Sequence, residues 1–129
     1  MHPFRAFISL YSTVTDDDWK IIQPCATYKI VQQNRILLQQ GSICKHLYFL
    51  ENGAVRFFKI EGDNDTTINS VQPPSLLTAA KSFVNQIPSE YGIQALDESY
   101  VWMMTREDAD KLTNLASWNE FLSNYFSNS

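Results

Sequence analysis

The chain has only two cysteines, Cys25 and Cys44, and two histidines, His2 and His46, so several chemistries lack their residues at the outset. Two thiols without a Cys-x-x-Cys spacing make neither a disulfide framework nor a thiol redox motif. A zinc or cupin-type metal site needs three or four His, Cys or carboxylate ligands, and an iron–sulfur cluster needs four cysteines. We therefore expect no metal, and Cys25 with His2 makes a poor axial pair for haem. Cationic residues are also in the minority, 10 Lys and Arg against 14 Asp and Glu, and they are scattered, so the basic footprint of a phosphate-backbone binder is missing. No DNA binding by this chain alone is expected. No apolar run approaches the ~20 residues that span a bilayer, and no basic segment followed by an apolar one opens the chain, which predicts a cytoplasmic protein with no membrane contact. No strained Gly-x-Ser-x-Gly turn presents a serine nucleophile, and Asp16 to Asp18 read as the acidic first turn of a helix. The expectation is that the chain is not an enzyme.

What is present is an apolar share of 44%, including 13% aromatics, in 129 residues, which is enough for one folded domain spanning 1–129 with one core. Phe4, Phe7, Ile8 and Tyr11 recur at helical spacing behind Pro3, and Thr15 with Asp18 forms a capping-box pattern ahead of Trp19 and Ile22. Residues 1–25 are thus predicted helical, and Pro24 closes them. From Thr27 the pattern turns strand-like, through Tyr28, Ile30, Val31 and Ile36 to Leu38, with a turn at Gly41. Leu47 to Leu50 and Ala54 to Ile60 flank Asn52-Gly53, the strongest short-range hairpin signal. A second turn at Gly62 to Asp65 leads into Thr66 to Val71. A short helix is predicted over 76–84 after Pro73-Pro74, then strands over Glu90 to Leu96 and Tyr100 to Thr105. Thr105 and Asp108 repeat the capping pattern and open C-terminal helices over 106–129.

Ile36-Leu37-Leu38-Gln39-Gln40-Gly41-Ser42, followed by Leu47-Tyr48-Phe49-Leu50-Glu51-Asn52-Gly53-Ala54-Val55-Arg56, resembles the glycine-spaced strand pair of cyclic-nucleotide-binding domains. The resemblance continues through Pro88 to Leu96 and the Trp102 to Asp108 exit into helix. It is closest in character to the sensing domains of the catabolite-activator and fumarate-nitrate-regulator family of bacterial transcription regulators. That resemblance implies a mainly β fold, an antiparallel β-roll or jelly roll over 26–105, flanked by N- and C-terminal helices. No helix-turn-helix domain follows within the chain.

The family's phosphate-binding cassette is a Gly-Glu pair opening the small helix, with an Arg about ten positions later. Aligned on Pro88 and Ala95, Thr78-Ala79 stand at the Gly-Glu positions and Ser89-Glu90 at the Arg and the residue after it. Both charged anchors are thus replaced, and Glu90 is repulsive toward an anion. The candidate ligand-binding positions are Thr78, Ala79, Lys81, Ser82, Ser89, Glu90 and Tyr91. Lys81 is the only cation among them. No cofactor is expected: a cyclic nucleotide is disfavoured, and any other small-molecule effector is unspecified by the sequence.

Trp118, Phe121, Leu122 and Tyr125, continued by Phe126, form an aromatic stripe at helical spacing. One reading packs it on the roll. The other, implied by the resemblance, makes it the start of a dimerisation helix and the chain a homodimer. The function expected is effector sensing in a regulator, and the alternative is a ligand-free interaction or dimerisation module that kept the roll.

Overall fold

The computed structural model describes residues 1–127. Two short helices open it, α1 (Pro3–Ile8) and α2 (Asp16–Ile22), followed by a 3₁₀ turn over Gln23–Cys25. Each start is chemically marked. His2 Nδ1 accepts from Phe4 N–H at 3.1 Å ahead of Pro3, and Thr15 and Asp18 form the reciprocal capping box. An Arg5–Asp16 ion pair at 2.8 Å ties the two helices together.

Eight strands follow: β1 (Thr27–Val31), β2 (Ile36–Leu38), β3 (His46–Asn52), β4 (Val55–Glu61), β5 (Asn64–Val71), β6 (Ser75–Leu77), β7 (Gly92–Ala95) and β8 (Ser99–Thr105). A small helix, α3 (Ala80–Asn85), separates β6 from β7, and α4 (Arg106–Lys111) and α5 (Ala116–Ser127) follow β8. The strands form two antiparallel four-stranded sheets, β1-β8-β3-β6 and β2-β7-β4-β5, faced as a roll. The mainly β roll flanked by helices is therefore the fold.

Three local expectations are corrected. Asn52-Gly53 is not a hairpin turn, because β3 and β4 lie in different sheets. Only Gly53 takes positive φ, +103°, while Asn52 uses its side-chain oxygen to accept from Gly53 N–H at 2.9 Å. The turn carries the chain across from one sheet to the other. The hydrogen-bonded hairpin is β4–β5, whose register closes at Glu61 opposite Asn64 around Gly62-Asp63. The helix expected over 76–84 begins only at Ala80, since Leu76 and Leu77 are consumed as strand β6, opposite Phe49 and Tyr48.

The third correction concerns the core, which is two clusters and not one. Away from β1, which is exposed from Thr27 to Ile30, sheet β1-β8-β3-β6 is covered on both faces: Leu47, Phe49, Leu76 and Met104 point to the helices, whereas Tyr48, Leu50, Leu77 and Val101 point into the roll. This accounts for the unbroken apolar run Leu47 to Leu50, as a strand buried on both sides has no polar face to alternate with. Trp118 and Phe121 of α5 are fully buried in the helix-side cluster with Phe4, Phe7 and Trp19. Phe83 of α3 packs against both clusters.

Gly53 and Gly41 allow a direct test of this crossing geometry. An added Cβ at Gly53 would lie 2.6 Å from Ser99 Cα and 2.8 Å from Glu98 O, both backbone atoms, while at Gly41, also at positive φ, it would meet nothing. Gly41→Ala should cost only the positive φ, roughly 1–2 kcal/mol, and Gly53→Ala should add an overpacking penalty of about 1–3 kcal/mol. Urea denaturation of both variants checks the order, and equal losses would contradict the crossing described.

Candidate functional site

The candidate residues gather where α3 lies over the mouth of the roll. Two backbone segments are stitched to it. Ser82 Oγ accepts from Cys44 N–H at 2.8 Å and donates to the carbonyl of Ile87, and Gln86, at a left-handed φ of +52°, donates to the carbonyls of Cys44 at 3.0 Å and Phe83 at 2.7 Å. Cys44 thus has its backbone N–H satisfied by a side chain of α3 and its carbonyl by the residue that caps the C-terminus of that helix. On the far side, Gly41 N–H donates to Ser89 O at 2.8 Å and Ser89 N–H to Ser42 O at 2.9 Å, so the segment after α3 is tied to the turn after β2.

The remaining candidates divide by depth. Thr78 is half-buried and donates to His46 O at 2.9 Å, with the Cys44 thiol 3.3 Å away. Ala79 is buried directly before α3, where it offers no polar side-chain atom. Lys81 and Glu90 are exposed, on opposite sides of the helix-to-strand connection in sequence, and Ser89 is buried with its Oγ donating to Tyr91 O at 2.7 Å. Tyr91 is half-buried, its ring set edge-on to Phe57 at 5.5 Å.

Two concavities flank Tyr91. One, of about 60 Å³, lies between Ala79, Ser82, Ile87 and Ser89 with Lys81 and Glu90 at its rim. The other, more open and about 260 Å³, is lined by Phe57, Ile68, Asn69, Thr78 and Tyr91. The sequence reading missed Phe57, Ile68 and Asn69. They belong to β4 and β5, where the register shifts between Phe57 and Phe58, and no local pattern announces such a shift.

The electrostatics of the region favour neutral groups. Burial pushes the Tyr48 phenol up to about 12, and burial with the nearby Cys44 also raises Tyr91. Burial, with Lys29 and Lys45 adding to it, lowers His46. Among the described residues, no three His, Cys, Asp or Glu side chains come together as a metal site, and no helix is long and apolar enough to cross a membrane.

Residues 28–114 match the family described as the cyclic nucleotide-binding domain. The chain belongs to the cyclic nucleotide-binding domain family. The same architecture recurs in a cyclic nucleotide-binding domain from Methylobacillus flagellatus KT, with a TM-score of 0.78 at 13% identity over 95% of this chain and 71% of that one. Thermus thermophilus catabolite activator protein gives a TM-score of 0.76 at 18% identity over 92% of this chain, which spans 56% of that longer protein. The N-terminal domain of a transcriptional regulator from Streptomyces coelicolor A3(2) gives 0.69 at 16% identity, covering 89% of this chain and 79% of that one. At such identities the likeness is one of fold. No curated protein sequence matches the chain.

The stripe on α5 turns inward. Trp118 and Phe121 have no exposed surface, so a second copy cannot reach these two in this conformation. Tyr125 is half-buried, and its hydroxyl both accepts from Leu76 N–H at 3.1 Å and donates to Leu76 O at 2.9 Å. Those are backbone groups of β6, an edge strand, so Tyr125 closes an edge that would otherwise be open. Leu122 is half-buried against the same cluster.

The stitching of α3 has a measurable consequence. Ser82 is 3% exposed, and its removal would leave Cys44 N–H buried without that acceptor. Ser82→Ala should therefore destabilise by about 1–3 kcal/mol in urea denaturation, while Lys81→Ala on the exposed face should change stability by less than about 0.5 kcal/mol.

Proposed function

We propose that this chain is the effector-sensing regulatory domain of a bacterial transcription regulator of the catabolite-activator and fumarate-nitrate-regulator type, and that a cyclic nucleotide is not its effector in the usual way. The observation that carries this reading is the seat at the cassette positions, about 60 Å³ in size and flanked by Tyr91. Ligand pockets usually measure roughly 300–1,000 Å³. Lys81, the cation at the seat, is exposed, and Glu90 stands at the same rim. A cyclic phosphate would meet neither the Arg nor the Glu that the family's cassette offers it. The fold shared with a catabolite activator protein and with the N-terminal domain of a transcriptional regulator supports the assignment to regulation.

In this reading the domain works without chemistry, in the cytoplasm. A small ligand biases α3, and α3 biases α5 through the apolar contacts of Phe83, a population shift passed to an output domain. The chain alone does not bind DNA, consistent with its net charge of −4. Homodimerisation through α5 would use the half-buried Leu122 and Tyr125, since Trp118 and Phe121 are taken up by the protein's own core.

A second reading is favoured by one feature: with Tyr91 in place and Leu76 and Leu77 buried in the core, the roll needs no ligand to be filled. A ligand-free interaction or dimerisation module would look the same. Sedimentation at high micromolar concentration separates part of this. A chain that stays monomeric removes dimerisation from both readings.

Calorimetry with cyclic AMP and cyclic GMP tests the nucleotide statement. Two missing charge-assisted hydrogen bonds at roughly 1.5–3 kcal/mol each should weaken a micromolar ligand by about 10²–10⁴-fold, into the millimolar range. A dissociation constant below ~10 µM that is lost on Ser89→Ala or Thr78→Ala would overturn it.

A further inference from the structure

The ring of His2 sits between two indoles, with ring centroids 4.8 Å from Trp19 of α2 and 4.3 Å from Trp102 of β8. Its Nδ1 accepts from Phe4 N–H at 3.1 Å and so caps α1. Only an unprotonated nitrogen can accept, which puts the proton of the neutral ring on Nε2. That Nε2 is buried and has no hydrogen-bond partner among the described residues. The cap therefore exists in one protonation state. Imidazolium carries a proton on both nitrogens, and a donor at Nδ1 facing Phe4 N–H is a repelling pair.

A charged ring has a different partner close by. Trp102 donates from Nε1 to the Glu51 carboxylate at 3.2 Å, so the indole that covers His2 is bordered by an anion. A cation against two indoles and beside a carboxylate is attracted to both. The charged groups acting on His2 are Glu51 of β3 and the Met1 amino group, while α2 and β8 present it with the two indoles. Burial is the strongest influence and holds the imidazole below its ordinary value, against Glu51 and together with the Met1 amino group.

What the cap holds is more than α1. Phe4 meets Trp118 at 6.3 Å, and Phe7 meets Phe121 at 5.9 Å and Tyr125 at 5.5 Å, so α1 forms part of the wall against which α5 packs. At six residues α1 is too short to persist on its own hydrogen bonds.

We propose that His2 is a proton-operated latch: neutral, it caps α1 and holds that helix against α5; protonated, it drops the cap and turns to Glu51. The device needs no ligand in the roll and stands apart from the effector reading. Its sign follows from linkage. With the folded value below the ordinary one, the stability that His2 contributes is complete above about pH 6.5 and is lost as the pH falls from there through the folded value. His46 is lowered as well and adds a loss of the same sign, so a site-resolved measurement is needed.

The experiment is an NMR titration of the full chain between about pH 7.5 and 4.5, a span that brackets histidine. At the neutral end the His2 imidazole should carry its proton on Nε2 alone. The Phe4 amide and the Phe121 ring should then shift with the His2 midpoint, below about 6.5, and the α1 amides should lose about fivefold in protection, the share of one cap. His2→Asn, which caps without titrating, should abolish that midpoint at Phe4 and Phe121, whereas His46→Gln should leave it in place. Glu51→Gln should move the His2 midpoint to lower pH. An Nδ1–H tautomer, a His2 titration that leaves Phe4 and Phe121 fixed, an unaltered acid response in His2→Asn, or an unmoved midpoint in Glu51→Gln would each overturn the proposal. The first two are read on the wild type and decide the matter even if a variant does not fold.

Discussion

Strand β3, in the sheet formed by β1, β8, β3 and β6, is buried on both faces, and the rest of the molecule depends on it. Its alternate residues serve two masters: Leu47 and Phe49 hold the helices, and Tyr48 and Leu50 line the inside of the roll. Because the pleat sends successive side chains to opposite sides, the same four residues fix both assemblies at once. A register slip of one position in β3 would exchange the two sets. It would put the Tyr48 phenol, which donates to Leu37 O at 3.3 Å, among Phe4, Phe7 and Trp118, where the helix-side core is aromatic and apolar.

That arrangement also explains why α3 sits between the two clusters. β6 places Leu76 toward the helices and Leu77 toward the roll, and three residues later α3 begins with its Phe83 touching both clusters. The helix is too short to be stable by itself, at six residues. It is held by tertiary bonds instead, through Ser82 and Gln86 to Cys44. An element of this kind, stabilised by a few specific contacts and little intrinsic propensity, has the low local stability from which moving parts are drawn. Tyr125 provides the corresponding hold on the other side by bonding both backbone groups of Leu76.

Much of this was legible along the chain. The capping pattern at Thr15 and Asp18 became a reciprocal box because both partners lie within one turn of backbone, and Thr105 accepts from Asp108 N–H for the same reason. Strand β2 falls where its apolar run lies, at Ile36–Leu38. The family resemblance rested on residues spread from Ile36 to Asp108 and agrees with the matched span 28–114. The Asn52-Gly53 signal marked a turn correctly but not its kind, since a hairpin and a crossing between sheets differ only in what the flanking strands pair with. The small helix was placed too early because Leu76 and Leu77 read equally well as strand or helix in so short a run.

The sequence by itself determined the family, the β-rich class and the turns at Gly41, Gly53 and Gly62, all of which depend on residue identity and local spacing. The tertiary structure alone decided which face of α5 is spent on the core, which strands share a sheet, and that Phe57 and Asn69 stand beside Tyr91 across the mouth of the roll. Those facts are contacts between residues distant in sequence. Long-range pairing follows from the closure of two sheets around shared side chains, and no window of the sequence contains both partners of such a contact.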